Sequence, residues 1–107
     1  MTAQIFLGYV REDRERVESL YQKLSEAGFK PWMDTKNILP GEKWELAVQE
    51  ALLRSDFLLV CLSKNAVDQR GLIQREIRQA LDIWQEKLDG EAFLIPVRLE
   101  DCKIPES

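Results

Sequence analysis

The chain contains no histidine, and this absence removes several kinds of catalytic and metal site from consideration. A histidine-based metal site, a Ser–His pair and a Cys–His pair are all excluded. Acid–base chemistry would therefore fall to carboxylates, of which the chain has 19. Only five glycines occur, and the sequence contains neither GxGxxG nor GxxxxGK[ST]. Any nucleotide would have to be held by side chains and loop amides, because both common glycine-rich phosphate loops are missing.

Cysteine is also scarce, and the two that occur stand in different settings. Cys61 lies inside the apolar run FLLVCL, where a buried small hydrophobe is expected rather than a reactive thiol. Cys102 lies in a polar segment near the C-terminus. Two such cysteines do not indicate a disulfide framework, so a reducing cytoplasm is the expected location. The first residues, MTAQIFLGYVRED, turn polar too soon for a signal peptide, and no apolar run approaches membrane-spanning length.

Neither sign of charge dominates, since 15 basic residues face 19 acidic ones and the net charge is −4. Without a basic face, nucleic acid is not expected as a partner. The run REDRER, Arg11 to Arg16, alternates the two signs and is typical of a solvated surface. A length of 107 residues with 45% hydrophobic residues predicts one globular domain with a single core.

The apolar pattern alternates between strand and helix spacing along the whole chain. Strands are predicted at Gln4–Tyr9, Phe29–Asp34, Asp56–Ser63 and Ala92–Leu99, and helices at Asp13–Ala27, Trp44–Arg54 and Leu72–Leu88. This order predicts an α/β fold with an open, mainly parallel sheet and helices on both faces. Pro31 cannot donate to a ladder and places the second strand at an edge, whereas the third strand is apolar enough to be covered twice. The flavodoxin-like strand order 2-1-3-4 follows.

One carboxylate stands at an unusual place in the third predicted helix. Glu76 projects from the shoulder of the apolar stripe, which consists of Ile73, Ile77, Ala80, Leu81 and Trp84. In open α/β sheets ligands bind outside the carboxyl ends of the strands, and this helix leaves one of those ends. Glu76 can therefore reach the crevice, although the helix dipole also favours an acid near a helix start.

Four stretches stand in the order and spacing of one known family: IFLGYVRED, GFKPWMDTKNILPGEKWELAVQEAL, SDFLLVCLSKNAVDQRGLIQREIRQAL and FLIPVRLEDCKIP. Through them the chain resembles a TIR (Toll/interleukin-1 receptor) domain of the bacterial type over essentially its whole length. Family members have a fifth strand and a final helix. Residues 1–107 are therefore expected to be a C-terminally incomplete TIR domain that lacks both. Gly8 departs from the family pattern, which has serine there.

The resemblance implies an enzyme that cleaves NAD+ at the bond between nicotinamide and ribose. The catalytic glutamate of the family lies in a W-x-x-x-E pattern, which here reads L-I-Q-R-E and places Glu76 at the glutamate and Leu72 at the tryptophan. Leu72 is expected among the substrate-binding residues, although leucine in place of tryptophan removes an aromatic surface; the carboxylate of Glu76 stays intact. NAD+ would be the substrate, and neither a cofactor nor a metal is expected.

Four further residues are expected to bind the substrate, each with a competing structural interpretation. Asp34 matches a family position near the substrate, Trp44 offers a stacking face, and Tyr9 and Arg11 follow the first strand. Tyr9 is otherwise a packed aromatic at a strand end, and Arg11 a solvated surface cation. Asp34 is otherwise a turn or cap residue. Trp44 falls on an apolar stripe with Val48 and Ala51, so core packing is favoured for it over stacking on the substrate.

A non-catalytic role is the alternative. In it, the chain is an adaptor or scaffold that joins other TIR domains through the BB loop, Asp34 to Lys43, and through its third and fourth helical faces. The two roles are compatible, because family members often become active only on self-association. By the same resemblance we expect a bacterial immune, antiphage effector in which this domain is fused to a sensor domain of a longer protein.

Overall fold

Strands and helices alternate along the parts of the chain that the computed structural model describes, residues 3–67, 73–85 and 93–100. In chain order they are β1 (Gln4–Gly8), a 3-10 turn (Arg11–Asp13), α1 (Arg14–Glu26), β2 (Lys30–Trp32), α2 (Asp34–Asn37), α3 (Trp44–Arg54), β3 (Phe57–Leu62), α4 (Arg75–Gln85) and β4 (Phe93–Arg98).

The four strands form one parallel sheet in the order β2-β1-β3-β4. The predicted flavodoxin-like α/β fold and its strand order are therefore confirmed. The strand with Pro31 lies at an edge, as its missing N–H requires. The continuous apolar run of β3 lies between two neighbours, and residues 58–62 are all buried.

Alternation along the strands separates two apolar layers. On one side of β1, Leu7 packs in a cluster with Val17 of α1. On the other side, Phe6 packs in a cluster with Leu52 of α3 and Ile77 of α4. Helix α1 therefore covers one face of the sheet, and α3 and α4 lie together on the opposite face.

Two glycines end or turn the chain where the sequence predicts it. Gly28 follows α1 with φ of 94°, and its N–H donates to the carbonyl of Ser25 while Phe29 N–H donates to Leu24. This is a Schellman ending, which requires a left-handed residue after the helix. Gly41 has φ of 90° in the turn after Pro40, a conformation that a type II turn requires.

Two segments differ from the predicted pattern. The stretch TKNILPGEK was expected to be loop throughout, but α2 occupies its beginning, because Asn37 N–H donates to the carbonyl of Met33 at 2.9 Å and its side-chain oxygen accepts from Met33 N–H. The third predicted helix starts at Arg75 instead of Leu72. Ile73 instead forms an antiparallel bridge with Val67, so it cannot continue the helix.

Cys61 is a buried member of the α1-side cluster, as predicted for a small hydrophobe. Burial raises the pKa of its thiol to about 12, and the negative charge of Asp13 adds to this effect. Cys102 lies outside the described residues. In the described ranges, no helix has both the length and the apolar character that a membrane crossing needs.

The last strand, β4, pairs with β3 from Phe93 to Arg98, and Pro96 stands opposite Val60. Just after the strand, Leu99 N–H donates to the carbonyl of Leu62 at 2.8 Å.

Candidate active-site cleft

A cleft of about 840 Å³ opens beside the carboxyl ends of β1 and β2, between α3 and α4. The strands contribute Phe6 and Gly8 to its lining, α3 contributes Trp44 and Val48, and α4 contributes Ile83 among others. Small-molecule sites commonly have volumes of about 300–1,000 Å³, so this cleft is large enough for a ligand. It also lies where open α/β sheets bind their ligands.

Gly8 lines the cleft without a side chain. Its φ is not positive, so the backbone does not require glycine there. A Cβ atom at this position would lie 3.5 Å from Leu58 Cδ1 and 3.7 Å from the carbonyl oxygen of Leu59, which is ordinary contact. The departure from the family's serine therefore leaves extra space in the cleft, while a glycine within a strand costs about 0.5–1 kcal/mol relative to alanine.

Tyr9 and Asp34 meet at the rim of the cleft. The Tyr9 hydroxyl donates a hydrogen bond to Asp34 Oδ1, and the same oxygen accepts the N–H of Thr35 at 2.8 Å. Burial raises the pKa of Tyr9, and the bond to Asp34 and its charge raise it further, while the positive charge of Arg14 opposes the shift. Tyr9 therefore stays protonated at neutral pH and acts as a donor. Asp34 begins α2 and lines the cleft, so its turn role and its site position coexist.

The cleft is lined by basic residues on one side and by acidic residues on the helices. Two guanidinium groups, of Arg11 and Arg14, lie on the side of the chain that follows β1. Arg14 also pairs with Glu18 at 3.7 Å. Acidic groups come from three helices, with Asp34 from α2, Glu45 from α3 and Asp82 from α4. Among the described residues, no cluster of three His, Cys, Asp or Glu side chains is arranged to hold a metal ion.

Core packing, the interpretation favoured for Trp44, is wrong. The side chain is 52% exposed and lines the cleft as the first residue of α3. Trp32, to which the sequence pattern assigns no function, lines the same cleft and stacks on Phe6, with ring centroids 4.9 Å apart and planes 14° from parallel. The cleft thus contains one exposed indole and one that is packed.

Glu76 is the second residue of α4, and its side chain lies outside the described part of the structure. The backbone alone places position 76 on a helix face. Residues three, four and seven positions further along are Gln79, Ala80 and Ile83, and all three line the cleft. Such spacings follow one face of an α-helix, so position 76 extends the cleft-lining face toward the carboxyl edge of the sheet. Leu72 lies outside the described residues.

Asp13, which is not among the residues lining the cleft, is a buried acid where the sequence predicts solvated surface. Asp13 is 1% exposed, and its carboxylate accepts hydrogen bonds from the Ser63 hydroxyl, from Asn65 Nδ2 at 2.8 Å and from an Arg16 guanidinium nitrogen at 2.5 Å. Burial acts to raise the pKa of Asp13, but these three bonds and the charge of Arg16 outweigh it and hold the pKa below its ordinary value. The interpretation of REDRER as wholly solvated is therefore wrong at Asp13.

The structure thus brings Tyr9, Arg11, Asp34 and Trp44 to one cleft. Sequence reasoning missed Arg14 and Gln79 among the lining residues. A helical step of three from Glu76 would have found Gln79, whereas no local signal separates Arg14 from its charged neighbours.

Comparison with known proteins gives a consistent result. A family model described as the TIR domain matches residues 5–107. The uncharacterized protein y4cD of Sinorhizobium fredii is 28% identical over 81 residues, which are 76% of this chain and 12% of that protein. The chain thus spans a small part of this curated relative.

Three solved structures share the fold. The TIR domain of the Toll-related receptor TRR-2 from Hydra magnipapillata gives a TM-score of 0.72 at 23% identity, over 95% of this chain and 74% of that one. The TIR domains of the activated Roq1 resistosome, which recognizes the pathogen effector XopQ, give a TM-score of 0.73 at 24% identity, over 91% of this chain and 57% of that one. A prokaryotic SEFIR domain gives a TM-score of 0.65 at 19% identity, over 98% of this chain and 81% of that one.

Proposed function

Because this chain belongs to the TIR domain family, we propose that it hydrolyses NAD+ at the bond between nicotinamide and ribose, with Glu76 as the catalytic carboxylate. The cleft carries the proposal. It collects Tyr9, Arg11, Asp34 and Trp44, and its α4 wall includes the helix face to which position 76 belongs. No glycine-rich loop is needed, because side chains from four elements supply the binding groups.

The proposed reaction requires little acid catalysis from the protein. Nicotinamide leaves NAD+ as a neutral molecule, so no strong general acid is required. The reaction does require a negative charge close to the ribose, where an oxocarbenium-like centre develops, as in glycoside hydrolysis. In this proposal the Glu76 carboxylate supplies that charge and holds the ribose hydroxyls. A partly enclosed cleft strengthens the interaction, since less water screens it.

The remaining groups bind and orient the dinucleotide. The guanidinium groups of Arg11 and Arg14 face the diphosphate, for which two cations on one wall are suited. The exposed indole of Trp44 offers a stacking surface for one of the two aromatic rings. Tyr9 stays protonated at neutral pH because its pKa is raised, and its hydroxyl orients the Asp34 carboxylate by donating to it. Asp34 presents a carboxylate to ribose hydroxyls. No resident cofactor is part of this scheme.

Activity in this proposal depends on self-association. The chain shares its fold with TIR domains seen in an activated resistosome, which supports an assembled state as the working form. The BB loop, Asp34 to Lys43, borders the cleft and reaches the interface with a neighbouring copy. The whole protein is then a cytoplasmic immune, antiphage effector in which a fused sensor domain triggers assembly. The 12% share of the longer relative is compatible with such additional domains.

An adaptor function without catalysis is the second candidate, and a surface feature favours it. Leu39 in the BB loop and Leu46 and Leu53 on α3 are all exposed, with half or more of each residue accessible. Exposed leucines at positions 46 and 53 lie two helical turns apart on one face, as a docking surface for another TIR domain would require.

Nicotinamide release from NAD+ tests the enzyme directly. We expect wild-type protein, concentrated or fused to an oligomeriser, to release nicotinamide, and Glu76→Ala to lower kcat by about 100-fold or more while the fold persists. Glu15→Ala is the matched control, because Glu15 stands at the second position of its helix, as Glu76 does, and is exposed outside the cleft. If clustered wild-type protein releases no nicotinamide yet still co-assembles with another TIR domain, the adaptor function is correct. Loss of that co-assembly in Leu46→Asp and Leu53→Asp would locate its surface.

A further inference from the structure

The buried carboxylate of Asp13 is connected to a turn that follows β3. The Ser63 hydroxyl donates to Asp13 Oδ2 and also accepts the backbone N–H groups of Asn65, at 3.2 Å, and Ala66, at 3.1 Å. The Asn65 side chain donates to the other Asp13 oxygen at 2.8 Å. Two side chains of one turn are therefore fixed to one buried acid that lies about 50 residues earlier in the chain.

The same turn is hydrogen-bonded to the start of α4. The carbonyl of Ala66 accepts the N–H of Gln74 at 2.8 Å, and Val67 bridges Ile73 beside it. The carbonyl of Gln74 in turn accepts the N–H of Arg78 at 3.1 Å, which opens the helix. A continuous path of hydrogen bonds thus leads from the carboxylate of Asp13 to the first turn of α4.

We propose that Asp13 is a positioning residue that fixes the first turn of α4, and with it Glu76, through the turn at residues 63–67. Gln74 stands two residues before Glu76, so a shift of Gln74 moves the backbone that carries the carboxylate. The kinetic consequence rests on the proposed function, whereas the effect on α4 does not.

The charge of Asp13 explains why the path is rigid. A buried carboxylate has to be satisfied by donors, and here two of its three donors belong to the turn. The third, Arg16, also donates to Glu100 at 3.2 Å, and Glu100 accepts the backbone N–H of Lys64 in the same turn at 3.2 Å. The turn is therefore fixed both directly by Asp13 and indirectly through Arg16 and Glu100.

Two variants weaken the path without touching the cleft. Asn65→Ala removes one donor from an exposed loop residue, so the protein should fold normally. Ser63→Ala removes the buried hydroxyl that connects Asp13 to two amides, and Ser63→Thr restores a hydroxyl at the same place. Lys64→Ala is the matched control, because it changes an exposed side chain of the same turn and keeps its backbone N–H.

Amide hydrogen exchange measures the positional effect. We expect exchange at Gln74 and Arg78 to become about tenfold faster or more in Ser63→Ala, and to rise to a smaller extent in Asn65→Ala. Exchange at Val60 in β3 should not change. Ser63→Thr should return the rates toward wild type, and Lys64→Ala should leave them unchanged. Unchanged exchange at Gln74 and Arg78 in folded Ser63→Ala and Asn65→Ala would overturn the proposal.

Nicotinamide release measures the kinetic effect in the same proteins. A displacement of the catalytic group by a fraction of an ångström to about 1 Å should lower kcat by roughly 10- to 100-fold with KM nearly unchanged. Faster exchange with an unaltered kcat would overturn the role of Asp13 in placing Glu76. If wild-type protein releases no nicotinamide, the proposed function fails, and the exchange rates alone then decide whether Asp13 positions α4.

Discussion

Replacing Asp13 by asparagine should remove a charge on which the folded state depends. The substitution keeps the shape of the side chain but replaces one carboxylate oxygen by an NH2 group, so at most two of the three hydrogen bonds remain, both to an uncharged acceptor. Bonds to charged groups contribute about 1.5–3 kcal/mol each and neutral ones about 0.5–1.5 kcal/mol. Because Arg16 is 41% exposed at its side chain, its share is reduced by solvent screening. We expect Asp13→Asn to lower the free energy of unfolding by about 2–3 kcal/mol, or roughly 10–15 °C in Tm.

The effect should depend on pH in a defined direction. The pKa of Asp13 is lower in the folded protein than its ordinary value, so its stabilisation is fully present above the unfolded pKa of about 3.9. It is lost as the pH falls through the folded pKa, because the proton then binds the folded state as well. The stability difference between wild type and Asp13→Asn should therefore be equal at pH 7 and 5.5 and should shrink below about pH 4.

Urea unfolding at four pH values between 7 and 3 measures both quantities. Glu15→Gln is the control, since it neutralises an exposed acid of the same charged run and should change stability by about 0.5 kcal/mol or less. A loss below about 0.5 kcal/mol at pH 7 in Asp13→Asn would contradict the buried network. A loss that persists unchanged at pH 3 would show that the charge is not its source.

Three further predictions compare matched substitutions by urea or thermal unfolding. Gly8→Ala should be neutral or stabilise the fold by up to about 1 kcal/mol, because a Cβ fits there. Gly28→Ala should destabilise the fold by about 1–2 kcal/mol, because Gly28 has φ of 94°. Equal effects of the two substitutions would contradict the backbone conformations assigned to them. Leu52→Ala, at 0% exposure, should cost about 2–5 kcal/mol, and Leu53→Ala, at 50%, less than about 1 kcal/mol. Tyr9→Phe should cost about 1 kcal/mol and raise KM for NAD+, and an unchanged KM would remove Tyr9 from the site.

The strand order could be predicted from the sequence because its causes are local. Pro31 marks an edge strand, and the run from Phe57 to Leu62 marks a covered one, whatever the rest of the chain does. The prediction for Trp44 was wrong because helical spacing identifies which residues share a face but not whether another element packs against that face. It shares a stripe with Val48, yet it is the first residue of α3 and is left half exposed beside the cleft.

The prediction of a solvated Asp13 was wrong for a different reason. Its burial depends on Ser63 and Asn65, which are 50 and 52 positions away, and no pattern within REDRER contains that information. The gathering of Tyr9, Arg11 and other cleft residues could be predicted from the parallel sheet, because the carboxyl ends of its strands share one edge, whereas the substrate expected there came from the family resemblance. Glu76 stays a prediction, since the structure describes its backbone and not its carboxylate.

Pro96 makes the two sides of β4 differ in the hydrogen bonds that they can donate. In a parallel strand, successive amides point alternately to the two sides, and Leu99 directs its N–H toward Leu62. By that alternation the amide position of Pro96 faces away from β3, and proline has no proton to offer there. A further strand that extended the sheet on this flank would find its ladder interrupted at mid-length. The neighbouring strand would then keep one carbonyl oxygen that has to find another donor.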